Sequence, residues 1–184
     1  MQESATALTW SLADWTVLGL LTEQPRHGFA LVKELGPDTL LGQVYSIPNP
    51  MIYRALRVLQ ERGMAAPVTE QASKLGPRRT LVAASQQGRA LFRQWRLTPI
   101  DHFRDARILL RLKLHLTVRL GLDPLPLLQA QQQRFARLGR LLDNGPPAPE
   151  DREQALMQLW RAETSAATIG FVDDAVRLFQ GGGA

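Results

Sequence analysis

The feature that most constrains the fold of this sequence is an amphipathic segment followed at once by two short strand-like segments. Asn49-Pro50 predicts a helix start, because asparagine favours the N-cap and proline the first helical position. Gly63 predicts the end of that helix. Its two faces differ: one carries Ile52, Leu56 and Leu59, and the other Pro50, Arg54, Arg57 and Glu61. Strands predicted over about 66–71 and 79–83 then flank a polar turn that contains Gly76-Pro77.

The segments around this helix and hairpin predict a known order of elements. Ser11 is placed to cap a helix that runs to about residue 23, and a second helix is predicted over about 27–35. Residues 38–48 are interpreted as an irregular connection. Ser85 is placed to cap a further helix after the hairpin. Helix, helix, helix, hairpin, helix is the order of a winged helix-turn-helix, in which the hairpin is the wing.

The second half of the chain is predicted to be helical. Leu110–Val118 alternates between apolar and polar residues, which taken alone would favour a strand. From about residue 101, however, Ile108, Leu112, Leu116 and Leu120 recur at helical spacing, and we interpret the segment as helix. Two more helices are predicted over about 124–142 and 151–179, joined by a linker rich in proline.

The predicted fold class is therefore mainly α, in two domains. Residues 1–97 form an N-terminal winged helix-turn-helix of three helices plus a two-stranded wing. Residues 98–184 form a helical C-terminal dimerisation domain, since its helices carry more apolar surface than one small bundle needs.

The distribution of charge indicates a polyanionic partner. The net charge of +5 is uneven: residues 1–47 carry −3, residues 48–96 carry +7 and residues 97–184 carry +1. The excess thus coincides with the predicted recognition helix and wing, as expected of an electrostatic footprint for nucleic acid. We expect double-stranded DNA to be the partner.

Three sequence blocks resemble the PadR family of bacterial transcription regulators. The first is Leu18-Gly-Leu-Leu-Thr-Glu-Gln-Pro-Arg-His-Gly-Phe29, with a histidine-glycine-aromatic turn, and the second is Ile52-Tyr-Arg-Ala-Leu-Arg-Val-Leu-Gln-Glu-Arg-Gly63, similar to the family's recognition helix. The third is Gly76-Pro-Arg-Arg79 with Gly88-Arg89. Leu109-Leu-Arg-Leu-Lys113 and Trp160 resemble the longer, two-domain subgroup. The resemblance implies a homodimer on a palindromic operator, and repression that a small hydrophobic or aromatic effector relieves.

Eight residues are candidates for contacting DNA. In the recognition helix they are Asn49, Met51, Tyr53, Arg54 and Arg57, and in the wing they are Lys74, Arg78 and Arg79. Each has a structural alternative: Asn49 as an N-cap, Tyr53 as a half-buried flank of the helix, and the basic residues as solvated surface.

The tryptophans suggest a ligand site, although packing in the core or in a dimer interface is the simpler explanation for all four. Regulators of this family sense effectors between their DNA-binding and C-terminal parts, and large aromatic walls suit planar apolar ligands. On that basis Trp15 and Trp95 are the candidates for effector binding.

Other classes of function receive less support. The chain has no cysteine, and no Gly-rich phosphate loop or metal-spaced cluster. Asp101-His102 with Asp105 is better explained as helix-surface polarity than as a metal site, so we expect no enzyme, no metal and no cofactor. Neither a secretory signal nor a membrane span is recognisable, which favours the cytoplasm. Two alternatives stay open: a winged-helix protein-interaction module that binds no DNA, and a membrane-surface protein that uses the cationic stretch Arg107–Leu120.

Overall fold

The computed structural model describes residues 10–71, 79–143 and 151–181, and the chain divides into two compact units, Met1–Gln94 and Trp95–Ala184. The first unit contains α1 (Leu12–Glu23), α2 (Gly28–Glu34), α3 (Leu40–Val44), α4 (Asn49–Glu61), β1 (Ala65–Gln71), β2 (Arg79–Ala84) and most of α5 (Gln86–Leu97). The second contains a 3₁₀ helix (Phe103–Arg107), α6 (Leu109–Arg119), α7 (Leu125–Asp143) and α8 (Arg152–Gly181). The predicted fold class, mainly α with an N-terminal winged helix, is confirmed.

Helix α1 forms the centre of the first unit. It starts with the predicted Ser11 cap: the Asp14 N–H donates to Ser11 Oγ (3.2 Å), and the Ser11 N–H donates to Asp14 Oδ2 (2.8 Å). The helix packs against both α4 and β2 and is buried around most of its circumference. Leu12 and Trp15, in the first turn of α1, are only half-buried.

The segment between α2 and α4 is not irregular, as predicted, but contains α3. Thr39 caps this short helix, since the Gly42 N–H donates to Thr39 Oγ1 (3.0 Å). Gly42 of α3 packs closely against the end of α2: a Cβ at this position would lie 2.0 Å from the carbonyl oxygen of Gly36. The first unit therefore has one helix more before the hairpin than predicted.

The start of α4 also differs from the prediction. Pro48, not Asn49, is the N-cap, and no side chain makes a capping hydrogen bond there. Asn49 is the first helical residue and is exposed, so its predicted alternative role as an N-cap is wrong. The end is as predicted: Gly63 adopts φ +72° directly after the helix. Ser85 Oγ donates to the Gly63 carbonyl (2.7 Å) and accepts from the Gly88 N–H (3.0 Å), which joins the end of α4 to the start of α5.

The wing is an antiparallel pair of strands whose register runs from Ala65 opposite Ala84 to Gln71 opposite Arg79. A bulge lies between Pro67 and Thr69. Since proline cannot donate a backbone hydrogen bond, an irregularity next to it is expected. Arg26, in the turn between α1 and α2, pairs with Val82 through two backbone hydrogen bonds of 2.9 Å each. This pairing fixes the base of the wing to the helical part of the unit.

The second unit is built around a separate apolar core. Its largest buried side chain, Phe135 of α7, stacks on Phe103 of the 3₁₀ helix at 4.6 Å between ring centroids. Most of the other buried members come from α6, α7 and α8 and include Leu110, Leu127 and Val172, while Ile100 and Ala106 precede α6. The alternating segment Leu110–Val118 is helical, as predicted. None of the helices in the described part of the chain is long and apolar enough to cross a membrane.

Two buried polar side chains fix the segment that follows α5. Gln131 of α7 is fully buried, and its amide bonds both backbone groups of Ile100: Oε1 accepts from the N–H (2.7 Å) and Nε2 donates to the carbonyl (3.1 Å). Lys113 of α6, only 3% exposed, donates from Nζ to the carbonyl of Thr98 (2.5 Å) and lies 5.0 Å from the ring centre of Trp95.

Burial of Lys113 gives the protein an expected pH dependence. Desolvation lowers the pKa of Lys113 from 10.5 to about 8, opposed in part by Asp101. Because the folded protein holds this proton less tightly than the unfolded chain, the free energy of unfolding should rise as the pH increases from about 8 towards 10.5. We expect wild type to gain about 1–3 kcal/mol relative to Lys113→Met over this range. Urea denaturation of both proteins at each pH measures the difference; parallel curves would contradict the expectation.

Candidate nucleic-acid interface

Helix α4 presents one buried and one exposed face. Ile52, Ala55 and Leu59 are buried, and the helix packs against α1 and α2. Because these apolar residues recur every three or four positions, packing them fixes the rotation of the helix about its axis. The opposite face is thereby held towards solvent.

All five predicted residues of this helix lie on its exposed side. Asn49 and Met51 belong to the first turn, and Tyr53, Arg54 and Arg57 follow on the next two turns. The Arg57 guanidinium lies 3.7 Å from Glu61, one turn further on, and both side chains are largely exposed. Such an exposed ion pair is weak and exchanges readily for a phosphate or a guanine base. The structure thus brings together the helical half of the predicted site.

Tyr53 has a structural role that the sequence did not reveal. Its ring, about half exposed, packs over Gly28 at the start of α2: a Cβ on Gly28 would lie 2.5 Å from Tyr53 Cε1. His27 precedes Gly28 and caps α2: its Nδ1 atom accepts a hydrogen bond from the Ala30 N–H (3.0 Å). The histidine-glycine turn therefore serves two local purposes: it starts α2 and supports the tyrosine of the recognition helix.

Replacing Gly28 by alanine is expected to displace the Tyr53 ring. Overpacking of this kind costs about 1–3 kcal/mol, and we expect the lower end because the ring edge can move towards solvent. Combining Gly28→Ala with Tyr53→Ala should remove most of the cost, since the added methyl group then meets open space. Thermal unfolding of wild type, both single variants and the double variant measures this coupling; additive effects would rule out the contact as the cause.

Arg26 connects several elements near this site, and sequence reasoning missed it. Its guanidinium is 6% exposed and contacts Glu23 (2.6 Å) and Glu34 (2.9 Å), while Nε donates to the Leu20 carbonyl (3.4 Å). Its backbone pairs with Val82 of the wing. One arginine thus joins α1, α2 and β2. The only sequence signal was an arginine in a turn with a glutamate on each flanking helix.

The wing residues are only partly described. Lys74 and Arg78 lie outside the described residues, and Arg79 is the first residue of β2, with nothing described of its side chain. Their predicted contacts with DNA therefore stay predictions. Two other basic residues of the +7 segment have intramolecular partners: Arg89 Nη1 donates to the Thr22 carbonyl (2.7 Å), and the Arg62 guanidinium lies 4.7 Å from the Trp10 ring centre.

The two tryptophans predicted to bind an effector lie in different units. Trp15, in α1, is half-buried with its ring centre 6.1 Å from that of Trp10. Trp95, also half-buried, belongs to the second unit and has the ammonium of Lys113 over its ring. The assignment of these residues to an effector site stays a prediction.

The acidic residues considered for a metal site have other partners. Asp101 forms an ion pair with Arg134 (2.6 Å), and Asp105 lies 4.0 Å from Arg104. Within residues 10–71, 79–143 and 151–181, no three histidine, aspartate or glutamate side chains come together in a way that would hold a metal ion. Asp101 and His102 precede the 3₁₀ helix and only Asp105 lies within it, so the prediction that all three belong to a helix surface is wrong.

A comparison with known families decides the identity of the first unit. Residues 17–94 match the family model described as the Transcriptional regulator PadR-like family. The N-terminal domain is PadR-like. This match spans α1 to α5, including the recognition helix and the wing, and confirms the resemblance that the three sequence blocks indicated. The PadR-like family is one of transcriptional regulators.

Two solved structures are also similar to this chain, at low identity. One is the crystal structure of Bacillus subtilis PadR in complex with operator DNA, with 16% identity and a TM-score of 0.45, covering 92% of this chain and 99% of the other. The second is smu.1604c from Streptococcus mutans UA159, with 13% identity and a TM-score of 0.43, covering 91% and 99% respectively. No curated protein matches the chain by sequence.

Proposed function

We propose that this protein is a cytoplasmic transcription regulator that binds a palindromic DNA operator as a homodimer. The observation that carries the proposal is the exposed face of α4. In a PadR-like domain, it presents Asn49, Met51, Tyr53, Arg54 and Arg57 to solvent while its apolar face packs against α1. A helix with this division of residues can enter the major groove and reach base edges with its first turns.

The residues of this face have complementary roles in the proposal. Arg54 and Arg57 supply guanidinium groups that bond phosphate oxygens or the O6 and N7 atoms of guanine in a bidentate manner. Asn49, which makes no capping bond, can bond an adenine edge, and the Tyr53 hydroxyl can reach a phosphate. Lys74, Arg78 and Arg79 extend the contact along the backbone or into the minor groove.

The exposed apolar side chains of the second unit support the proposed homodimer. Several large apolar side chains of α8 are exposed, among them Leu156, Trp160 and Leu178 at 67–69%. A cluster of such residues on one helix is typical of a surface that another protein covers. A two-fold dimer would place two recognition helices on half-sites about one DNA turn (~34 Å) apart.

A small hydrophobic or aromatic effector would relieve repression in this proposal, with Trp15 and Trp95 lining its site. Half-buried indole rings offer apolar area to a planar ligand at little conformational cost. Titrating a panel of planar hydrophobic compounds, with tryptophan fluorescence and DNA affinity as readouts, tests this part. A panel that changes neither signal would contradict it.

Selection from a random duplex pool tests the DNA-binding proposal and requires no assumption about the operator sequence. We expect the purified protein to enrich a palindromic sequence with half-site centres ten to eleven base pairs apart, or a multiple of that, as is typical of dimeric helix-turn-helix proteins. The matched control is Arg54→Ala/Arg57→Ala, which should enrich nothing. If wild type also enriches nothing, the protein-interaction module becomes the better account.

A further inference from the structure

A small group of aromatic and basic side chains lies at the start of α2. Its members are His27, Phe29 and Lys33, which we call the α2 patch. The Phe29 ring, 49% exposed, stacks on the His27 ring with 6.4 Å between the centroids. The Lys33 ammonium lies 5.1 Å from the centre of the same ring, because Lys33 follows Phe29 by one helical turn. The Phe29 ring therefore joins an imidazole and an ammonium group into one surface.

The α2 patch adjoins the exposed face of the recognition helix. The Tyr53 ring of α4 packs over Gly28, in the middle of the histidine-glycine-phenylalanine turn, and α2 as a whole packs against α4. In helix-turn-helix domains, the helix that precedes the recognition helix crosses the DNA backbone. With α4 in the major groove, the α2 patch would lie beside the backbone that borders the groove.

The cap of α2 determines which nitrogen of His27 donates a hydrogen bond. Nδ1 accepts the Ala30 N–H (3.0 Å), and an imidazole nitrogen accepts only when it carries no proton. The proton of the neutral ring is therefore on Nε2. His27 is half-buried, and Nε2 has no hydrogen-bond partner within residues 10–71, 79–143 and 151–181. The fold thus presents one N–H donor of fixed position on the α2 patch.

Lys33 adds a positive charge to the α2 patch. Its side chain is exposed and forms no ion pair within the described part of the chain. The adjacent carboxylate, Glu34, pairs with Arg26 instead (2.9 Å). Because residues 1–47 carry −3, the distribution of charge along the sequence gave no reason to expect a DNA contact here. Only the folded chain shows an unpaired cation beside the recognition helix.

We propose that the α2 patch binds phosphate oxygens of the operator backbone, with the Lys33 ammonium as the cation and the His27 Nε2–H as a hydrogen-bond donor. This inference rests on the DNA-binding function proposed above and adds two contacts outside the +7 segment. The Tyr53 hydroxyl, already proposed to reach a phosphate, belongs to the same region because its ring packs over Gly28. Contacts of this kind carry no sequence information, but they fix the position of the recognition helix on the duplex.

The place of the α2 patch favours DNA over an acidic protein segment as the partner. Through Tyr53 the patch is continuous with the exposed face of α4, which also carries Arg54. A duplex bound at that face therefore reaches the patch without a second binding partner. Phosphate oxygens also accept hydrogen bonds from both an ammonium and an imidazole N–H.

Replacing Lys33 by methionine tests the charged contact. Fluorescence anisotropy at several salt concentrations should show at least about tenfold weaker binding to the selected operator and to a scrambled duplex alike, because a phosphate contact is independent of sequence. The log–log salt dependence should become shallower by about 0.9 for each subunit bound. The matched control is Arg62→Met, another exposed cation over an aromatic ring of the same unit, 4.7 Å from the Trp10 ring centre. Its salt dependence should equal that of wild type.

Replacing His27 by asparagine tests the neutral contact without removing the cap. Asparagine is a favoured N-cap residue, so the thermal unfolding midpoint should stay close to that of wild type. The variant lacks the Nε2–H donor, and we expect about threefold to tenfold weaker binding to both duplexes. The salt dependence should not change, because a neutral donor releases no counter-ions. This difference from Lys33→Met separates the two proposed roles.

The outcomes distinguish failure of this contact from failure of DNA binding itself. If wild type binds neither duplex, both proposals are overturned. If wild type binds and Lys33→Met keeps its affinity and salt dependence, the α2 patch alone is overturned, and an acidic protein segment becomes its better partner. An equal loss in Arg62→Met would also overturn it, since the effect would then reflect net charge. Wild-type affinity in His27→Asn would remove the histidine from the contact.

Discussion

Replacing Arg54 and Arg57 together by alanine is expected to lower affinity for the selected operator by about 30-fold or more. A specific arginine contact with a base or phosphate contributes about 1–3 kcal/mol, and two such contacts are lost. Both side chains are exposed on α4, opposite the buried Ile52 and Leu59, so the substitutions remove no core packing. Fluorescence anisotropy on labelled operator duplex measures the affinity.

The control for this experiment is Arg137→Ala/Arg140→Ala. Like Arg54 and Arg57, these two arginines are exposed and lie three residues apart on a helix, but that helix is α7 in the second unit. Replacing them by alanine also removes two positive charges. We expect less than about a threefold change in affinity, because neither arginine belongs to the predicted contact surface. If both double variants lose affinity equally, the loss reflects net charge alone, and α4 is not the recognition helix.

Replacing Arg26 by methionine is expected to reduce the free energy of unfolding by about 2–3 kcal/mol. Removing one partner of a buried ion pair leaves the other uncompensated, which costs about 3–5 kcal/mol where both are fully buried. The lower range applies here because Glu23 and Glu34 are 26% and 31% exposed and regain some water. Methionine keeps most of the side-chain volume, so little of the effect arises from a cavity.

Comparing the urea denaturation of Arg26→Met with that of Arg93→Met isolates the contribution of the Arg26 ion pairs to the free energy of unfolding. Arg93 is an exposed arginine of α5, and its replacement should change the free energy of unfolding by less than about 0.5 kcal/mol. Because Arg26 also holds β2 through its backbone, we expect faster amide exchange at Val82 in the Arg26→Met protein. Equal stability of the two variants would show that the ion pairs to Glu23 and Glu34 contribute nothing.

The elements with strong local signals could be predicted from the sequence. Ser11 and Ser85 cap helices as expected, and Gly63 closes α4, because each acts through neighbouring backbone groups. The exposed face of α4 was equally predictable, since the apolar residues of this helix recur every three or four positions and so mark the opposite, buried face. The five helical candidates for DNA contact lie on one exposed surface, and their contact with DNA stays a prediction.

Features that depend on distant residues could not be predicted. Residues 38–48 were interpreted as an irregular connection, yet they contain α3, in which close packing against Gly36 requires a glycine at position 42. The sequence did not single out Arg26, because only the folded chain brings Glu23, Glu34 and the Leu20 carbonyl around it. In α8 the apolar residues were evident, but their sequence did not reveal that Val172 and Val176 are buried while Leu156 and Trp160 are exposed.

The most direct test of the central claim is the salt dependence of DNA binding. Fluorescence anisotropy would compare the duplex upstream of the protein's own gene with a scrambled duplex between about 50 and 200 mM salt, a range over which about six to ten phosphate contacts cost 10³–10⁵ in affinity. We expect clear preference for the upstream duplex and a log–log slope of about −0.9 per phosphate contacted. Absence of binding to either duplex at the lowest salt would contradict the assignment of α4 and the wing as a DNA-binding surface.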